Sequence, residues 1–570
     1  MQKFLKYIFL AIFILTGTAV SASADNETKA ITITLGEPLA KVNGEPYEME
    51  VAPRVSDGST LVPLRFIAEN FGAKVNWNNE TKNINVLQVE LEIQLQQGSK
   101  EALVNGTVHT IGAAPVIEKG VTLVPLRFLV ENMNYGLVYM PETKEINIKQ
   151  LPPPNKPPVA DFTIKKDTVD QGETVDYEDN SKDPDGDQIV ERKWSGNERA
   201  FFATGEYTVT LTVKDSRGAW SKPCTKVVKV TGEVLMDRLT YNLHNPIPGE
   251  PLGNINLPVL QLPMVDPAVS MTRNKVLVSD SPETVREDGI LYSDTLKGEN
   301  RLFYHHLNGS SETKRIYLLA INQGDKPVKL AVKKFGVAGP GDPMTIGRTA
   351  AYRYFDFNPS DARFLELQPG EKAVLNNGDQ IQIKPNQTVH GMFDINASDN
   401  LLFAVVAVGS QDPINMYEKL PVLPRDEKHI RGTFPMADRS MSVQVDGGQP
   451  TRLIIADGKD DAFLYGKDTN TSTMGRYGLL GNNSGNYGVV YRVRIHSKHR
   501  VGVIFSPRGG VFAGSGEWDG KAFNLPNRGI MQPQTEFAMI GVIGSGEEKV
   551  LEFIPPAGSY LPVNLIFIPF

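Results

Sequence analysis

Cysteine is nearly absent from this sequence, since Cys224 is the only one in 570 residues. A single cysteine forms no internal disulfide, so the small scaffolds that secreted proteins build from several cystine bridges are excluded. One continuous core is excluded as well, because a single core stops growing beyond about 250 to 300 residues. We therefore expect several domains, each stabilised by an ordinary hydrophobic core.

Basic charge is also scarce. The 59 Lys and Arg residues are outnumbered by 66 Asp and Glu residues, which gives a formal net charge of -7. The basic residues are scattered along the chain and do not concentrate on one periodic face. Nucleic acid is therefore not an expected partner.

Long hydrophobic runs are missing after the first residues. The one extended run, Ile8–Val20, follows Lys3 and Lys6 and precedes the small residues Ala22-Ser23-Ala24. It is shorter than the roughly 20 residues that span a bilayer. A basic start, an apolar run and a small-residue site are typical of a secretory signal, so we predict a signal peptide at residues 1–24 and no membrane span after its cleavage.

One stretch of sequence occurs twice. The heptapeptide TLVPLRF occupies Thr60–Phe66 and again Thr122–Phe128, an offset of 62 positions. The same offset aligns, without a gap, Val42-Asn43-Gly44 with Val104-Asn105-Gly106, Trp77 with Tyr139, and Glu80-Thr81-Lys82 with Glu142-Thr143-Lys144. A fixed period of this kind indicates one structural unit built twice.

Each copy predicts a ββαββ unit. Two strands alternate around Asn43-Gly44, a dipeptide that favours a hairpin turn. The stretch VPLRFIAENFG then has helical apolar spacing, with Pro63 near its first turn and Gly72 just past its end. Alternating residues around Val75 and Ile84 predict two further strands.

The placement of the heptapeptide in this unit predicts a structural role. Leu64 and Phe66 fall on the apolar face of the helix, and Arg65 lies between them, where it is expected to brace carbonyls or a carboxylate on a packed sheet. A repeated core pattern explains the identical residues without any chemistry. The heptapeptide is therefore interpreted as scaffold.

At these residues the sequence resembles a known family. VPLRFIAENFGAKVNW followed by ETKNI is similar to the copper amine oxidase N-terminal-like domain of many secreted proteins of Gram-positive bacteria, and the resemblance covers residues 29–150. In the oxidases this domain is a dispensable stalk, and a separate catalytic domain carries the copper and topaquinone. The resemblance implies a stalk.

Amine oxidase activity is not expected in spite of that resemblance. The oxidase catalytic domain needs a tyrosine in an Asn-Tyr-Asp/Glu setting, whereas Asn134-Tyr135-Gly136 and Asn486-Tyr487-Gly488 lack the acid. The eight histidines include no His-x-His pair that would hold copper. Copper is therefore not an expected cofactor.

A proline-rich segment marks a domain boundary. The sequence LPPPNKP, residues 151–157, favours an extended polyproline conformation and predicts a semi-rigid linker. Residues 158–232 then alternate as short strands and resemble a PKD domain, with Gly205-Glu206-Tyr207 and Val213-Lys214-Asp215 in that family's places. The resemblance implies an immunoglobulin-like β-sandwich that spaces or binds.

An acidic loop in this segment is the one metal candidate. Asp183, Asp185 and Asp187 alternate around Gly186, and hard oxygen ligands at alternate positions in a tight loop suit calcium. The full calcium loop is absent, because Trp194 stands where the bidentate glutamate belongs. A turn stabilised by its own side chains is the favoured explanation of the pattern, and calcium stays an alternative.

The remaining residues predict β-structure throughout. RIYLLAINQGDKPVKLAV reads as a hairpin, and FLELQPGEKAVL has the rhythm of an immunoglobulin-like sandwich. We predict a β-sandwich-like domain at 233–428 and a second β-rich domain at 429–570. The fold class expected for the whole chain is mainly β and multidomain.

The search for catalytic chemistry gives one weak cluster. Serine-elbow, zinc-helix and phosphate-loop motifs are missing, and His305 and His306 are neighbours on a strand that point to opposite faces, which makes them poor joint ligands. Glu517 and Asp519 flank Trp518, and glycine- and asparagine-rich loops carry Tyr477 and Tyr487. Aromatic rings on loops commonly stack sugars, but hairpin turns with packed aromatics give the same pattern.

The leading interpretation is an exported, nonenzymatic modular protein of a Gram-positive cell surface. Its C-terminal β-domains would bind a cell-wall glycan, another extracellular glycan or a surface protein. The main alternative is a secreted carbohydrate-active enzyme with two acids in a C-terminal cleft. A calcium-dependent adhesin is the third.

Overall fold

The computed structural model describes residues 30–152, 154–376, 378, 381–409, 412–425, 429–467 and 480–570. The chain forms two compact units. The first comprises Met1–Asp161, Asn180–Lys193 and Leu211–Cys224; the second comprises Phe162–Asp179, Trp194–Thr210 and Thr225–Phe570. The predicted signal peptide and Tyr477 lie outside the described residues.

The repeat region folds into short strands and two short helices. These are β1 (Ala30–Thr34), β2 (Leu39–Val42), β3 (Glu45–Glu48), β4 (Arg54–Ser56), β5 (Ser59–Pro63), α1 (Leu64–Asn70), β6 (Lys74–Trp77), β7 (Asn83–Gln88), β8 (Leu91–Gln96), β9 (Glu101–Val104), β10 (Thr107–Thr110), β11 (Val116–Glu118), β12 (Val121–Pro125), α2 (Leu126–Asn132), β13 (Tyr135–Met140) and β14 (Glu145–Gln150). Five strands precede the helix in each copy instead of the predicted two. The added hairpin in the first copy turns at Asp57-Gly58, where both residues have positive φ.

The two copies exchange strands. One sheet has the order β13-β14-β1-β2-β3, and the other has the order β10-β9-β8-β7-β6. Each sheet therefore joins the opening strands of one copy to the closing strands of the other. A third sheet, β11-β12-β5-β4, pairs the two heptapeptide strands with each other. Because neither copy completes a sheet alone, the two copies form one structural unit.

The helices carry the heptapeptide's apolar residues into a shared core. Leu64 and its equivalent Leu126 are each 1% exposed and belong to one hydrophobic cluster. Arg65 does not brace a packed sheet as predicted: its side chain is 66% exposed and lies 3.5 Å from Glu69 one turn along the helix. The scaffold role of the apolar positions is confirmed, and the arginine is a surface residue.

Six strands follow the linker. They are β15 (Phe162–Ile164), β16 (Thr168–Gln171), β17 (Tyr177–Asp179), β18 (Ile189–Ser195), β19 (Gly205–Asp215) and β20 (Cys224–Val234). β15 pairs with β17, and the other four form a sheet in the order β16-β20-β19-β18. Trp194 packs edge-on against Phe162 at 5.0 Å between ring centroids, which favours the predicted core role for this tryptophan.

The rest of the second unit is built from long strands and a few short helices. These are α3 (Arg238–His244), β21 (Pro251–Asn254), η1 (Val259–Gln261), β22 (Ala268–Met271), β23 (Lys275–Val285), β24 (Gly289–Asn308), β25 (Arg315–Ile321), β26 (Val328–Gly341), α4 (Pro343–Phe355), η2 (Pro359–Asp361), β27 (Arg363–Leu367), β28 (Lys372–Val374), β29 (Thr388–Val408), α5 (Pro413–Met416), η3 (Tyr417–Lys419), β30 (Arg431–Pro435), β31 (Asp438–Val445), β32 (Thr451–Ile455), β33 (Tyr465–Lys467), β34 (Leu480–Asn482), β35 (Val490–Ser497), β36 (Val501–Pro507), β37 (Gly514–Trp518), β38 (Lys521–Leu525), β39 (Glu536–Ile543), β40 (Glu548–Phe553) and β41 (Val563–Pro569).

Three large sheets organise these strands. One sheet has the order β21-β39-β36-β41-β32 and a second has the order β22-β31-β35-β40-β37-β38. The largest runs β27-β26-β29-β24-β23-β30-β33-β34, with β25 beside β29 and β28 beside β25. β23 pairs with β30, so a strand before residue 428 and a strand after it share this sheet. The predicted fold class, mainly β in several sheets, is confirmed.

Candidate functional site

The acidic loop between β17 and β18 brings its three aspartates together. One carboxylate oxygen from each aspartate lies within 4.8 Å of an oxygen of the other two, and this is the one group of three or more His, Cys, Asp or Glu residues with that property in the part of the chain described. The predicted self-stabilised turn is also present. One oxygen of Asp183 accepts hydrogen bonds from the backbone N–H groups of Asp185, at 2.8 Å, and Asp187, at 3.1 Å.

The other oxygens of the loop are the ones that suit a metal. Asp183 Oδ2 and Asp187 Oδ2 are buried atoms with no hydrogen-bond partner among the described residues. Asn155 Oδ1, from the proline-rich linker, is a third such atom. Buried oxygens without a donor are unfavourable unless something supplies a positive charge, and oxygen-only donor sets are what calcium takes. The residues present therefore fit a calcium ion.

The linker residues Asn155 and Lys156 donate hydrogen bonds to two carboxyl groups, those of Asp215 and Asp185. Asp215 at the end of β19 is 1% exposed, and its Oδ2 accepts a hydrogen bond from Asn155 Nδ2 at 2.8 Å. Burial on its own would raise the pKa of Asp215, but hydrogen bonds from Asn155 and backbone N–H groups outweigh burial and hold it below its usual value. Lys156 donates its backbone N–H to Asp185 at 2.7 Å, which lowers the pKa of that carboxyl. Both carboxyl groups are thus ionised at neutral pH.

Sequence reasoning found the loop and missed Asn155 and Asp215. Asn155 could have been noticed in the sequence, because it is a polar residue inside a run of prolines. Nearby cations partly offset the acidic charge: Lys156 Nζ lies 3.4 Å from Asp185 and Arg217 lies 3.8 Å from Asp187. A bound cation would compete with these two side chains.

Trp518 and Tyr487, the described aromatic residues of the second predicted site, both pack against the core. Trp518 is 9% exposed and packs in the main hydrophobic core of the second unit, and Glu517, its neighbour on β37, points to the opposite face of the sheet. Asp519 lies in the following turn, 2.6 Å from Lys549. The Tyr487 hydroxyl donates to the backbone oxygen of Ser559 at 2.8 Å, which holds the ring against the core. This arrangement gives no support to a stacking role for Trp518.

Glu517 has a different partner. Across the sheet it pairs directly with Glu552 on β40, and Glu552 forms an ion pair with Arg492. Burial, and then the neighbouring charge of Glu552, raises the pKa of Glu517. Two adjacent carboxyl groups, one with a raised pKa, are an arrangement that general acid–base chemistry uses.

Three histidines are fully buried in the largest sheet. His305 on β24 and His390 on β29 are directly paired, with ring centroids 5.2 Å apart. His306 turns to the other face, where its Nε2 lies 3.0 Å from the Ser279 hydroxyl, as the strand alternation predicts. His390 Nδ1 donates to the Tyr304 carbonyl oxygen at 2.7 Å, and burial lowers the pKa of His390 to about 4.

This burial predicts a loss of stability in mild acid. In the unfolded chain His390 titrates near 6.5, so between pH 6.5 and 4 the unfolded state binds a proton that the folded state does not. Stability is therefore full above pH 6.5 and falls as the pH drops toward 4, by about 3 kcal/mol for this residue. Urea unfolding at several pH values measures the slope. His390→Gln should flatten this slope, and an equal slope in the native chain and in His390→Gln would refute the assignment.

Comparisons with known proteins match the front of the chain. Residues 15–86 and 41–148 match the family model of the copper amine oxidase N-terminal domain, which confirms the predicted stalk-like domain there. A curated relative from Brevibacillus choshinensis, named protease inhibitor, is 30% identical over 117 residues, 20% of this chain and 36% of the relative. The match thus spans about a third of that relative's length. The PKD resemblance stays a prediction.

One solved structure aligns with low similarity. It comes from work described as the structural basis for the promiscuous specificity of carbohydrate-binding modules from the β-sandwich superfamily. The alignment covers 44% of this chain and 97% of that chain at 16% identity and a TM-score of 0.13. At this TM-score the likeness carries no argument about fold or ligand. No helix in the described ranges is long and apolar enough to cross a membrane.

Proposed function

We propose that this chain is an exported, nonenzymatic, surface-associated protein in which a stalk of paired repeats and a PKD-like spacer present β-domains for binding. The observation that carries the proposal is the construction of the repeat region. The family that it matches consists of stalk-like domains. The residues that are identical in the two copies, such as Leu64 and Leu126, pack in one shared core. A repeated unit whose conserved spacing serves packing is suited to structural support.

The location and partner follow from the sequence signals. The predicted signal peptide at residues 1–24 supports export, and the Gram-positive distribution of the resembling family supports association with the cell wall. The proposed partner is a glycan of the wall or surroundings, or a surface protein. Neither proposal involves copper.

Calcium has a structural role in this proposal. The acidic loop and the linker residue Asn155 would share one calcium ion. A bound ion would fasten the linker to the acidic loop, because Lys156, the neighbour of Asn155, already donates its backbone N–H to Asp185 of that loop. A semi-rigid linker fixed in this way would hold the spacer in one orientation.

A second function has one observation in its favour. The Glu517–Glu552 pair, with the raised pKa of Glu517, would suit a carbohydrate-active enzyme in which one carboxyl group stays protonated to act as an acid. The two carboxyl groups lie side by side on neighbouring strands of one sheet.

Incubation of the full chain with purified cell-wall sacculi separates the two functions. We expect saturable binding without release of reducing ends over hours, and Glu517→Gln should change neither result. Reducing ends released by the native chain and abolished by Glu517→Gln would establish the enzyme instead. Absence of both binding and turnover would contradict both proposals.

A further inference from the structure

The two copies of the repeat differ at one surface position that controls access to a helix phenylalanine. In the first copy the Tyr47 ring lies 4.8 Å from the Phe66 ring, and Phe66 is 8% exposed. At the equivalent position, 62 residues later, the second copy has His109. Phe128, the equivalent of Phe66, is only partly buried. The second copy therefore leaves open what the first copy covers.

A groove of about 560 Å³ has Phe128 in its lining, together with Thr110, the neighbour of His109, and with residues of the first copy such as Ser59. Its volume falls within the range of roughly 300 to 1,000 Å³ that small-ligand sites occupy. Gly112 forms part of its wall, where the first copy carries the larger Glu50. A Cβ atom at Gly112 would lie 2.3 Å from the Ser59 hydroxyl oxygen, so a side chain does not fit at this point without displacing Ser59. Two differences between the copies thus favour the groove in the second one.

The lining of the groove combines an exposed ring, an apolar floor and uncharged polar groups. Tyr139 on β13 lines it and is 45% exposed. Hydroxyl groups come from Ser59, Thr60 and Thr110. The two charged lining residues are Arg127 and Glu131, which form an ion pair at 3.0 Å, so the groove offers no net charge.

These properties favour a neutral sugar over an ionic ligand. A pyranose ring has an apolar face of C–H groups that packs against an aromatic ring, and its hydroxyl groups exchange hydrogen bonds with serine, threonine and paired charged side chains. A ligand with net charge would gain little from a lining whose arginine and glutamate already neutralise each other.

We propose that this groove of the second repeat binds a neutral oligosaccharide, with one sugar ring stacked on Tyr139 and its hydroxyl groups bonded to the Arg127–Glu131 pair. The first repeat, closed by Tyr47, completes the fold and binds nothing at the equivalent place. The inference rests on the proposed surface-binding function and adds the stalk to the C-terminal β-domains as a point of contact with glycan.

The test is calorimetric titration of the full chain with three neutral tetrasaccharides: cellotetraose, the β-1,4-linked N-acetylglucosamine tetramer and maltotetraose. We expect one-to-one binding of at least one of them. His109→Tyr should weaken that binding about tenfold, because a tyrosine there covers Phe128 as Tyr47 covers Phe66. His109→Gln, which leaves the groove open, is the matched control and should bind normally.

A second pair of variants guards against misfolding. Tyr139→Ala should weaken binding about tenfold and Tyr139→Phe should preserve it, because the aromatic ring is retained. All variants should keep the thermal midpoint of the native chain, since His109 and Tyr139 are both exposed.

Three results would overturn the inference. The first is no heat of binding with any tetrasaccharide at millimolar concentration, and the second is equal affinity in His109→Tyr and His109→Gln. The third is that the groove binds a neutral peptide, probed with a capped Thr-Ser repeat, and does not bind the sugars. Cosedimentation of the same variants with sacculi distinguishes failure of this inference from failure of the proposed surface-binding function. If native and His109→Tyr chains pellet equally, the groove is not the contact while surface binding stands; if neither pellets, surface binding fails as well.

Discussion

Arg301→Met should destabilise the second unit by about 3 to 5 kcal/mol, because it leaves two partly buried carboxylates without their cation. Arg301 is 2% exposed. Its guanidinium donates to Asp394 at 2.7 Å, to Asp438 at 2.5 Å and to the Gly488 carbonyl oxygen at 3.0 Å. The Tyr354 hydroxyl from α4 joins the same network. One side chain therefore ties β24 to β29, β31 and a helix.

The shift of the urea unfolding midpoint of the second unit measures this effect. Lys498→Met is the control, since Lys498 and Asp446 form an ion pair at 2.7 Å that is largely exposed, and solvent screens such pairs so that they contribute little to stability. If the two variants shift the midpoint equally, the buried network does not hold the sheets together.

Asp187→Asn should abolish a calcium-dependent gain in stability. Extracellular calcium modules bind with dissociation constants of about 10⁻⁴ to 10⁻³ M, so 10 mM calcium should stabilise the native chain by about 1 to 3 kcal/mol relative to chelator. The variant removes the charge of an oxygen that has no hydrogen-bond partner in the described structure. It should therefore unfold at the same midpoint with calcium or with chelator.

The matched control for calcium is Asp176→Asn, which changes an exposed carboxylate 3.5 Å from Lys165 and should retain the full calcium response. Thermal unfolding in calcium and in chelator decides the matter. A native chain that shows no difference between the two conditions would show that the acidic loop is only a turn.

Local features were predictable from the sequence because short-range forces determine them. The Asn43-Gly44 turn forms with positive φ at both residues, and α1 begins directly after Pro63, as its spacing predicts. The exchange of strands between the copies was not predictable. β1 pairs with β14, more than a hundred residues away, and nothing in the repeat's own pattern says whether a strand pairs within its copy or with the other.

The candidate sites divide in the same way. The three aspartates of the acidic loop are close in sequence, and one loop brings them together. Asn155 and Asp215 come from distant segments and contact each other, and only the fold reveals this pairing. The burial of Trp518 could not be predicted, because alternation on a strand shows which residues share a face without showing which face is buried.

Cosedimentation of the full chain with purified cell-wall sacculi, over a range of protein concentrations, tests the central claim most directly. The account predicts saturable pelleting that His109→Tyr weakens and His109→Gln preserves. A native chain that stays in the supernatant at every concentration, with calcium and without, would contradict a surface-binding function.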